Sequence, residues 1–456
     1  MMKHNTRLAA LLMALAMLLT MTACSKEPKN DAPVVTQAPA VADTAAQPAA
    51  DYVMATVNGT SVTYGEYAGY LATMVTYYTN YGYDVSDPTF YAMLKQFALQ
   101  TGVEYAVMNQ KLTELGLALT DAEKEATMAS AKEYWESQVA AGMTYYGITD
   151  ESTEEERAAT LVSVLAELEA MGYTEESYVA ESVQFAGYDK LYEDMTKDVT
   201  VTEEAVINHY NTLVAADKAA YENDAAAYEQ VQQTNQFALM YGMTDYYTDL
   251  FYMPEGYRAV THILLEVDEA LLTAYTDLQA AYEEQQLTLE EGGEVTGDLV
   301  TADEVENARL AIIASVQPKI DEINQKLAGG AAFNDLIPEY SMDTGMTTPE
   351  AIAEGYAVHM DSIMWDPVFT AAAFSVDTIG QVSQPVVGMY GVHLVHYDHD
   401  VTGGPLELTD ELKAGFMTEL LTNAKDEIYY GAIEQWVGEA TIVYSDEAKA
   451  IMGLAE

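Results

Sequence analysis

The sequence predicts an α+β protein. The N-terminal part and a C-terminal helix form a mainly helical domain, and a second domain is inserted into it at residues 257–400. Helical apolar spacing with repeated helix-start signals dominates residues 63–251. Strand-like runs begin after Tyr257. Apolar residues four apart return at 412–436, and such a stripe needs a partner to cover it. The two ends of the chain are therefore expected to form one helical domain.

The composition limits the class of partner. The chain has 456 residues, of which 73 are acidic and only 19 are Lys or Arg, so its formal net charge is −54. A surface with this charge repels a phosphate backbone, which argues against nucleic acid as a partner. Half of the residues are apolar, which excludes a fully disordered chain. Outside the extreme N-terminus there is no apolar run of about 18 residues, which excludes a polytopic membrane protein.

The N-terminus has the features of a secretory signal. Lys3 and Arg7 form a basic start, an apolar run follows at 8–19, and small residues precede Cys24, the sole cysteine. The segment resembles the lipobox of bacterial lipoproteins. That resemblance implies a signal peptide at 1–23, cleavage before Cys24 and a diacylglyceryl group on its sulfur, which would anchor the protein to a lipid bilayer outside the cytoplasm. A plain signal peptide with an incidental cysteine is the alternative.

Two regions separate the signal from the inserted domain. Residues 24–51 contain four of the twelve prolines and no aromatic residue, a composition typical of a disordered tether. Residues 52–256 are expected to form the first part of the helical domain. An Asn-Gly pair at 58–59 predicts a β-hairpin. Thr63, with Glu three residues later, predicts a helix start of the capping-box type, and the same pattern recurs at Thr120.

Tyrosines cluster at 77–83 and at 241–252. They have two interpretations. They pack helices together while their hydroxyls stay hydrated, or they form an adaptable apolar surface for unfolded chains, assisted by Met243 and Met253.

Residues 257–400 combine strand and helix signals. The run "RAVTHILL" predicts a strand, and an amphipathic pattern at 303–327 predicts a long helix. Between them lies an acidic insert at about 268–302, which could be a lid, a client-binding arm or an inert elaboration. After the long helix come a segment at 333–340, a short helix predicted around 367–374 and strands predicted at 383–387 and 392–397. Residues 401–456 return to helix and are expected to pack back on the N-terminal domain.

Four ordered blocks of this region resemble the parvulin family of peptidyl-prolyl isomerases: "RAVTHILL", "LAGGAAFNDLIPEYSMD", "DPVFTAAAFSV" and "IGQVSQPVVGMYGVHLVHY". The flanking pattern, with a lipoprotein signal, a "VNG" hairpin and a closing helix, is similar to the PrsA and SurA class of extracytoplasmic foldases. The resemblance implies a parvulin-like domain at 257–400, with a four-stranded antiparallel sheet and surrounding helices. It also implies a chaperone role for the helical domain.

The resemblance implies a catalytic cleft in this chain, with residues at matching positions. His262 and His393 match the paired histidines of the family, and Asp343 matches a position that is Cys in some members and Asp in others. These three are the expected catalytic residues. Substrate binding is expected at the following positions: Ala357, Met364, Trp365, Phe369, Phe374 and Tyr390. Phe369 and Phe374 match the proline pocket, and Ala357 lies in "EGYAV", where the family has a glycine-rich block. Either Trp365 or Met364 occupies the usual methionine position.

Two functions from different classes follow. The first is an extracytoplasmic peptidyl-prolyl cis–trans isomerase and foldase that acts on unfolded or newly translocated secreted proteins with X–Pro bonds. The second is a catalytically inactive holdase that binds such chains on the same scaffold. The sequence leaves the oligomeric state open. A solute-binding lipoprotein is disfavoured because the chain lacks a succession of βα units.

No cofactor is expected. The sequence contains no glycine-rich phosphate loop, G-x-S-x-G elbow or H-E-x-x-H pair. His393, His396 and His399 recur every third residue, but neighbours three apart on a strand face opposite sides of the sheet. These histidines are therefore not expected to bind a metal ion.

Overall fold

The computed structural model describes residues 47–295 and 299–454. The expected signal peptide, the Cys24 anchor and most of the tether lie outside these residues. The strands are β1 (Val53–Val57), β2 (Thr60–Thr63), β3 (Tyr252–Met253), β4 (Arg258–Leu265), β5 (Tyr356–Val358), β6 (Val386–Gly388), β7 (Gly391–Asp400), β8 (Gly404–Pro405) and β9 (Ile442–Tyr444). The helices are α1 (Tyr64–Asn80), α2 (Pro88–Glu114), α3 (Asp121–Tyr145), α4 (Glu154–Ala170), α5 (Glu175–Thr196), α6 (Glu203–Tyr221), α7 (Ala225–Tyr241), α8 (Glu269–Glu290), α9 (Ala302–Ala328), α10 (Phe333–Tyr340), α11 (Pro349–Glu354), α12 (Pro367–Phe374), α13 (Asp410–Glu439) and α14 (Asp446–Ile451).

The chain folds into two compact units. Unit 1 comprises Met1–Thr200 and Glu419–Glu456, and unit 2 comprises Val201–Thr418. The α+β fold class is confirmed: a helical unit is built from both ends of the chain, and a four-stranded antiparallel sheet lies in the part between them. None of the helices in the described residues combines the length and the hydropathy that a membrane span requires.

Unit 1 begins with the predicted hairpin. Asn58 and Gly59 both have positive φ, at 49° and 88°, which the two-residue turn between β1 and β2 requires. Thr63 and Glu66 form the predicted capping box, with the Thr63 N–H donating to the Glu66 carboxylate at 2.7 Å. Strand β9 adds to the other edge of β1, with Ala55 opposite Tyr444. The first and last strands among residues 47–295 and 299–454 therefore share one small sheet.

The C-terminal helix α13 supplies part of the core of unit 1. Tyr429 and Ile433 are buried against Met108, Leu112 and Leu191. The predicted apolar stripe is only partly right, because Ile428 is exposed. A spacing of four advances about 40° beyond each full turn at about 100° per residue, so the three steps from Phe416 to Ile428 turn the stripe by about 120° and it cannot face one core along its whole length.

Unit 2 starts earlier than the domain boundary expected at residue 257. Residues 201–256 belong to it because β3 pairs with β8, with Tyr252 opposite Pro405. In addition, Tyr228 of α7 packs against Tyr257 in a buried cluster. Helices α6 and α7 are thus joined to the sheet-containing part through both backbone pairing and aromatic packing.

The main sheet of unit 2 has the strand order β5-β4-β7-β6, and every pair is antiparallel. One face is covered by α9 and α10, where Ile263 and Leu394 join a core with Ile312. On the other face, Val395 packs against Phe369 of α12. Because side chains alternate along a strand, His262 and His393 lie on the α12 face.

The acidic insert folds largely as helix α8, which packs against α9. Gln285 accepts a hydrogen bond from the Val300 N–H and donates one to its carbonyl oxygen, both at 3.0 Å, which ties α8 to the chain just before α9. Tyr275 of α8 is buried in the core that the sheet forms with α9. The described residues of the insert therefore belong to unit 2.

Candidate active site

Strands β4 and β7 bring the two histidines together. In their antiparallel register His393 lies opposite Leu264, so His262 is its neighbour on the same sheet face. The two rings are nearly parallel, with centroids 5.2 Å apart. His396, in contrast, stacks on Phe333 on the opposite face. The structure thus separates His393 from His396, as strand alternation predicts.

The two histidines and Asp343 form a chain of hydrogen bonds. Nδ1 of His262 lies 3.1 Å from Nδ1 of His393, and Nε2 of His262 lies 2.8 Å from Oδ2 of Asp343. The Tyr356 hydroxyl donates to the same oxygen at 2.7 Å, and the Gly345 N–H donates to Oδ1 at 3.0 Å. The Asp343 carboxylate is therefore held on three sides.

The electrostatics indicate the charge states of Asp343 and His393 in this chain of hydrogen bonds. The hydrogen bond from His262 is the main reason that the pKa of Asp343 lies well below its usual range, so the carboxylate is ionised and accepts from Nε2–H of His262. Burial, followed by the nearby His262, lowers the pKa of His393 from 6.5 to about 4, which keeps this ring neutral at neutral pH. One proton lies between the Nδ1 atoms of His393 and His262, which are 3.1 Å apart. Nε2 of His393 is buried and has no hydrogen-bond partner among the described residues.

Aromatic side chains form the apolar wall of the cleft beside the histidines. The Phe369 ring meets the His262 ring edge to face at 5.1 Å, and Trp365 lies 5.7 Å from Phe369 and 4.6 Å from Tyr356, measured between ring centroids. The cleft has a volume of about 660 Å³. Helix α8 contributes Tyr275, Thr276 and Gln279 to its lining.

A buried carboxylate outside the expected set holds the loop that leads to Trp365. Glu229 of α7 is only 1% exposed. Its Oε2 accepts hydrogen bonds from the Ser362 hydroxyl at 2.8 Å and from the N–H groups of Ile363 at 2.7 Å and Met364 at 3.2 Å. Its Oε1 accepts from the Tyr257 hydroxyl at 3.1 Å. The only sequence signal is a glutamate on the buried helix face that also carries Tyr228.

Most of the expected site residues line the same cleft: His262, Asp343, Met364, Trp365, Phe369, Tyr390 and His393. Met364 and Trp365 both line it. Tyr356, Asp366 and the residues of α8 also line it and were not among the expected site residues.

Phe374 and Ala357 do not line this cleft. Phe374 follows Phe369 by five residues on α12, about 140° further around the helix, and its ring packs under the Arg258 guanidinium at 4.4 Å. Ala357 lies between two residues of β5 that point the other way, and its carbonyl oxygen accepts the Trp365 indole N–H at 2.9 Å. The structure places Ala357 as a backbone support for Trp365.

Residues 299–399 match the Rotamase family, described as the PPIC-type PPIase domain. The chain carries a PPIC-type domain. The match begins near the end of the insert, and β4 with His262 precedes it, yet β4 lies at the centre of the same sheet. The insert therefore interrupts the PPIC-type domain in sequence without removing its first strand from the fold.

Similar proteins are named as foldases. "Foldase protein PrsA 2" of Listeria innocua is 37% identical over 91 residues, which are 20% of this chain and 30% of that protein. "Foldase protein PrsA" of Caldanaerobacter subterraneus is 25% identical over 232 residues, 51% of this chain and 58% of that protein. The chain thus spans about a third of the Listeria relative.

Two solved structures resemble large parts of this chain. A SurA-like chaperone of Campylobacter jejuni matches with a TM-score of 0.26 and 13% identity, covering 72% of this chain and 96% of that one. PrsA of Bacillus subtilis matches with a TM-score of 0.19 and 17% identity, covering 89% and 99%. TM-scores this low do not support a shared arrangement of the whole chain.

Proposed function

We propose that this protein is an extracytoplasmic, lipid-anchored foldase that catalyses cis–trans isomerisation of X–Pro bonds in newly translocated secreted proteins. The observation that carries the proposal is the hydrogen-bond chain from His393 through His262 to Asp343, set in an aromatic cleft of the PPIC-type domain. The naming of similar proteins as foldases supports it.

The reaction requires rotation about an amide bond, against a barrier of about 20 kcal/mol. No covalent bond has to form. The planar amide has negative charge on its oxygen and double-bond character between carbon and nitrogen, and both decrease as the bond twists. A site that stabilises the twisted amide more than the planar one lowers the barrier.

Different residues of the cleft contribute to the stabilisation of the twisted amide. Phe369, Trp365 and Met364 provide an apolar pocket for the proline ring, so that the bond is held away from bulk water. The ionised Asp343 disfavours negative charge on a nearby amide oxygen, which destabilises the planar form more than the twisted one. His262 and Tyr356 hold that carboxylate in place through their hydrogen bonds.

The test is cis–trans exchange of a short X–Pro peptide, measured by NMR with the purified protein. Acceleration by the unmodified protein should decrease at least about tenfold in Asp343→Asn, because this change removes the charge and keeps the shape. Asp335→Asn changes an exposed carboxylate of α10 and should leave the rate unchanged. No acceleration by a folded protein would contradict the proposal.

The anchor and location need their own experiment, because Cys24 lies outside the described residues. Cells grown with labelled fatty acid should incorporate label into the protein, and Cys24→Ala should abolish both the label and recovery in the membrane fraction. Label-free protein in the membrane fraction would contradict lipidation at Cys24.

A second candidate function is holdase activity independent of isomerisation. The end of α7 and the residues after it expose large apolar side chains, including Met240 at 76%, Tyr241 at 62% and Tyr246 at 62%. Such a contiguous exposed apolar segment is typical of an interaction site. Suppression of client aggregation that survives Asp343→Asn and is lost in a Met240→Ser, Tyr241→Ser double variant would support this role.

A further inference from the structure

The cleft is lined by acidic side chains without basic ones. Asp343 and Asp366 both line it, and no Lys or Arg does so among the described residues. Arg309 of α9 lies close enough to influence Tyr275, but its guanidinium is bound to both Glu306 oxygens at 2.7 Å. This pairing neutralises the Arg309 guanidinium.

An unpartnered polar atom lies beside one of these carboxylates. Nε2 of His393 is buried and has no hydrogen-bond partner among the residues that the structure describes. Gly388 packs directly against both side chains, because a Cβ built on it would stand 2.8 Å from His393 Nε2 and 3.0 Å from Asp366 Oδ2. The Asp366 carboxylate also accepts the Met389 N–H at 3.1 Å, and the group that complements a carboxylate in the cleft wall is a cationic N–H donor.

The inserted helix α8 extends the acidic character to the rim. Gln279 lines the cleft, and its side-chain amide donates to the Glu283 carboxylate one turn further on, at 3.0 Å. A substrate residue in contact with α8 therefore lies beside an amide that is hydrogen-bonded to a further acidic side chain.

We infer that this cleft selects X–Pro segments in which the residue before proline is Lys or Arg, and that it discriminates against acidic or phosphorylated residues there. The inference rests on the proposed isomerase function and names its substrate class. With proline in the aromatic pocket, the preceding Cα is about 3.8 Å away, so its side chain lies within the field of Asp343 and Asp366. Like charges brought together in such a site disfavour binding, and opposite charges favour it.

The experiment uses peptides that differ only in the residue before proline: Arg, Lys, Ala, Glu or phosphoserine. We expect kcat/KM for Arg–Pro to exceed that for Glu–Pro at least about tenfold at low salt, with Ala–Pro between them. The ratio should decrease between about 0.05 and 0.5 M salt, because the Debye length becomes shorter. Isothermal titration of the same peptides gives the corresponding ratio of dissociation constants.

Two variants locate the effect. Asp366→Asn keeps a residue that can cap α12 and removes one charge, so the ratio should fall. Gln279→Lys adds a positive charge on α8 and should raise kcat/KM for the Glu–Pro peptide relative to that for the Arg–Pro peptide. Asp335→Asn does not line the cleft and should leave the ratio unchanged.

The outcomes separate this inference from the proposed function. Equal acceleration of Arg–Pro and Glu–Pro, or a preference for Glu–Pro, overturns the charge selection and leaves the isomerase assignment intact. No acceleration of any peptide, combined with binding that still favours Arg–Pro, overturns the isomerase assignment and supports the charge selection. Equal binding without acceleration overturns both.

Discussion

Glu229 accepts a hydrogen bond from the backbone N–H of Ile363, although the two residues are 134 positions apart in the sequence. The same carboxylate oxygen also holds the Met364 N–H, at the start of the aromatic wall. Helix α7 lies outside residues 299–399, which match the PPIC-type domain. The geometry of the cleft therefore depends on a side chain that does not belong to the family match.

We expect Glu229→Ala to destabilise unit 2 by about 2–4 kcal/mol, because several buried donors lose their acceptor. It should also raise KM for an X–Pro peptide more than it lowers kcat, since the loop with Met364 and Trp365 loses its anchor. Urea unfolding and exchange kinetics measure the two effects. Glu229→Gln keeps one carbonyl acceptor and should restore most of both.

Gln230→Ala changes an exposed neighbour on the same helix and should change neither quantity. Equal behaviour of Glu229→Ala and Gln230→Ala would show that the loop keeps its position without the carboxylate.

A second prediction concerns fragments. A fragment of residues 201–418 contains Glu229 and the β3–β8 pair, whereas a fragment of residues 257–400 contains neither. We expect the longer fragment to unfold at higher urea concentration and to accelerate peptide exchange more strongly. Circular dichroism checks that both fragments are folded before the rates are compared. Equal rates from two folded fragments would mean that α6 and α7 contribute nothing to the cleft.

A third prediction concerns pH. Burial lowers the pKa of His393 from its ordinary value of 6.5 to about 4 in the folded protein. Between these values the unfolded chain binds the additional proton, so the free energy of unfolding decreases as the pH falls through this window, by up to about 3 kcal/mol. The contribution of Asp343 is lost only at lower pH, because its pKa is also lowered in the folded state.

Urea unfolding at several pH values measures this slope. His393→Gln should reduce it in the window between about pH 6.5 and 4, with part of the slope left to His396, whose pKa burial also lowers. His399→Gln changes a side chain that is 45% exposed and should retain most of the slope. An unchanged slope in His393→Gln would assign the pH dependence to other groups.

A fourth prediction tests the assembly of unit 1 from both chain ends. Ile433→Ala removes a buried side chain from the core with Met108 and Leu191 and should cost about 2–4 kcal/mol in unfolding free energy. Ile428→Ala changes an exposed residue of the same helix and should cost less than about 0.5 kcal/mol. Similar losses in both variants would contradict the packing of α13 in this core.

Local features could be predicted from the sequence because their causes are local. The capping box at Thr63 and Glu66 needs only residues three apart, and the run from Pro367 to Phe374 forms a helix over the whole predicted span. The histidine pair followed from the family resemblance, and the strand register then brought His262 and His393 together.

Features that depend on tertiary packing could not be predicted in this way. Phe374 matched a pocket position in the sequence, yet the turn of α12 directs it to Arg258. Nothing near Glu229 in the sequence indicates the loop at 362–364 that it binds. Likewise, the acidic insert had three interpretations, and only its packing places Gln279 in the wall of the cleft.

The pairing of β1 with β9 has a consequence for the order of folding. Synthesis proceeds from the N-terminus, so Val53–Val57 emerge first but cannot gain their outer partner until Ile442–Tyr444 emerge near the end. All of Val201–Thr418 is complete before then. Residues 201–418 can therefore fold while the apolar side chains of Val53–Val57 that β9 covers in the final fold are still exposed. A protein proposed to assist the folding of other chains thus exposes apolar side chains of its own for much of its synthesis, and these need to be kept from aggregating.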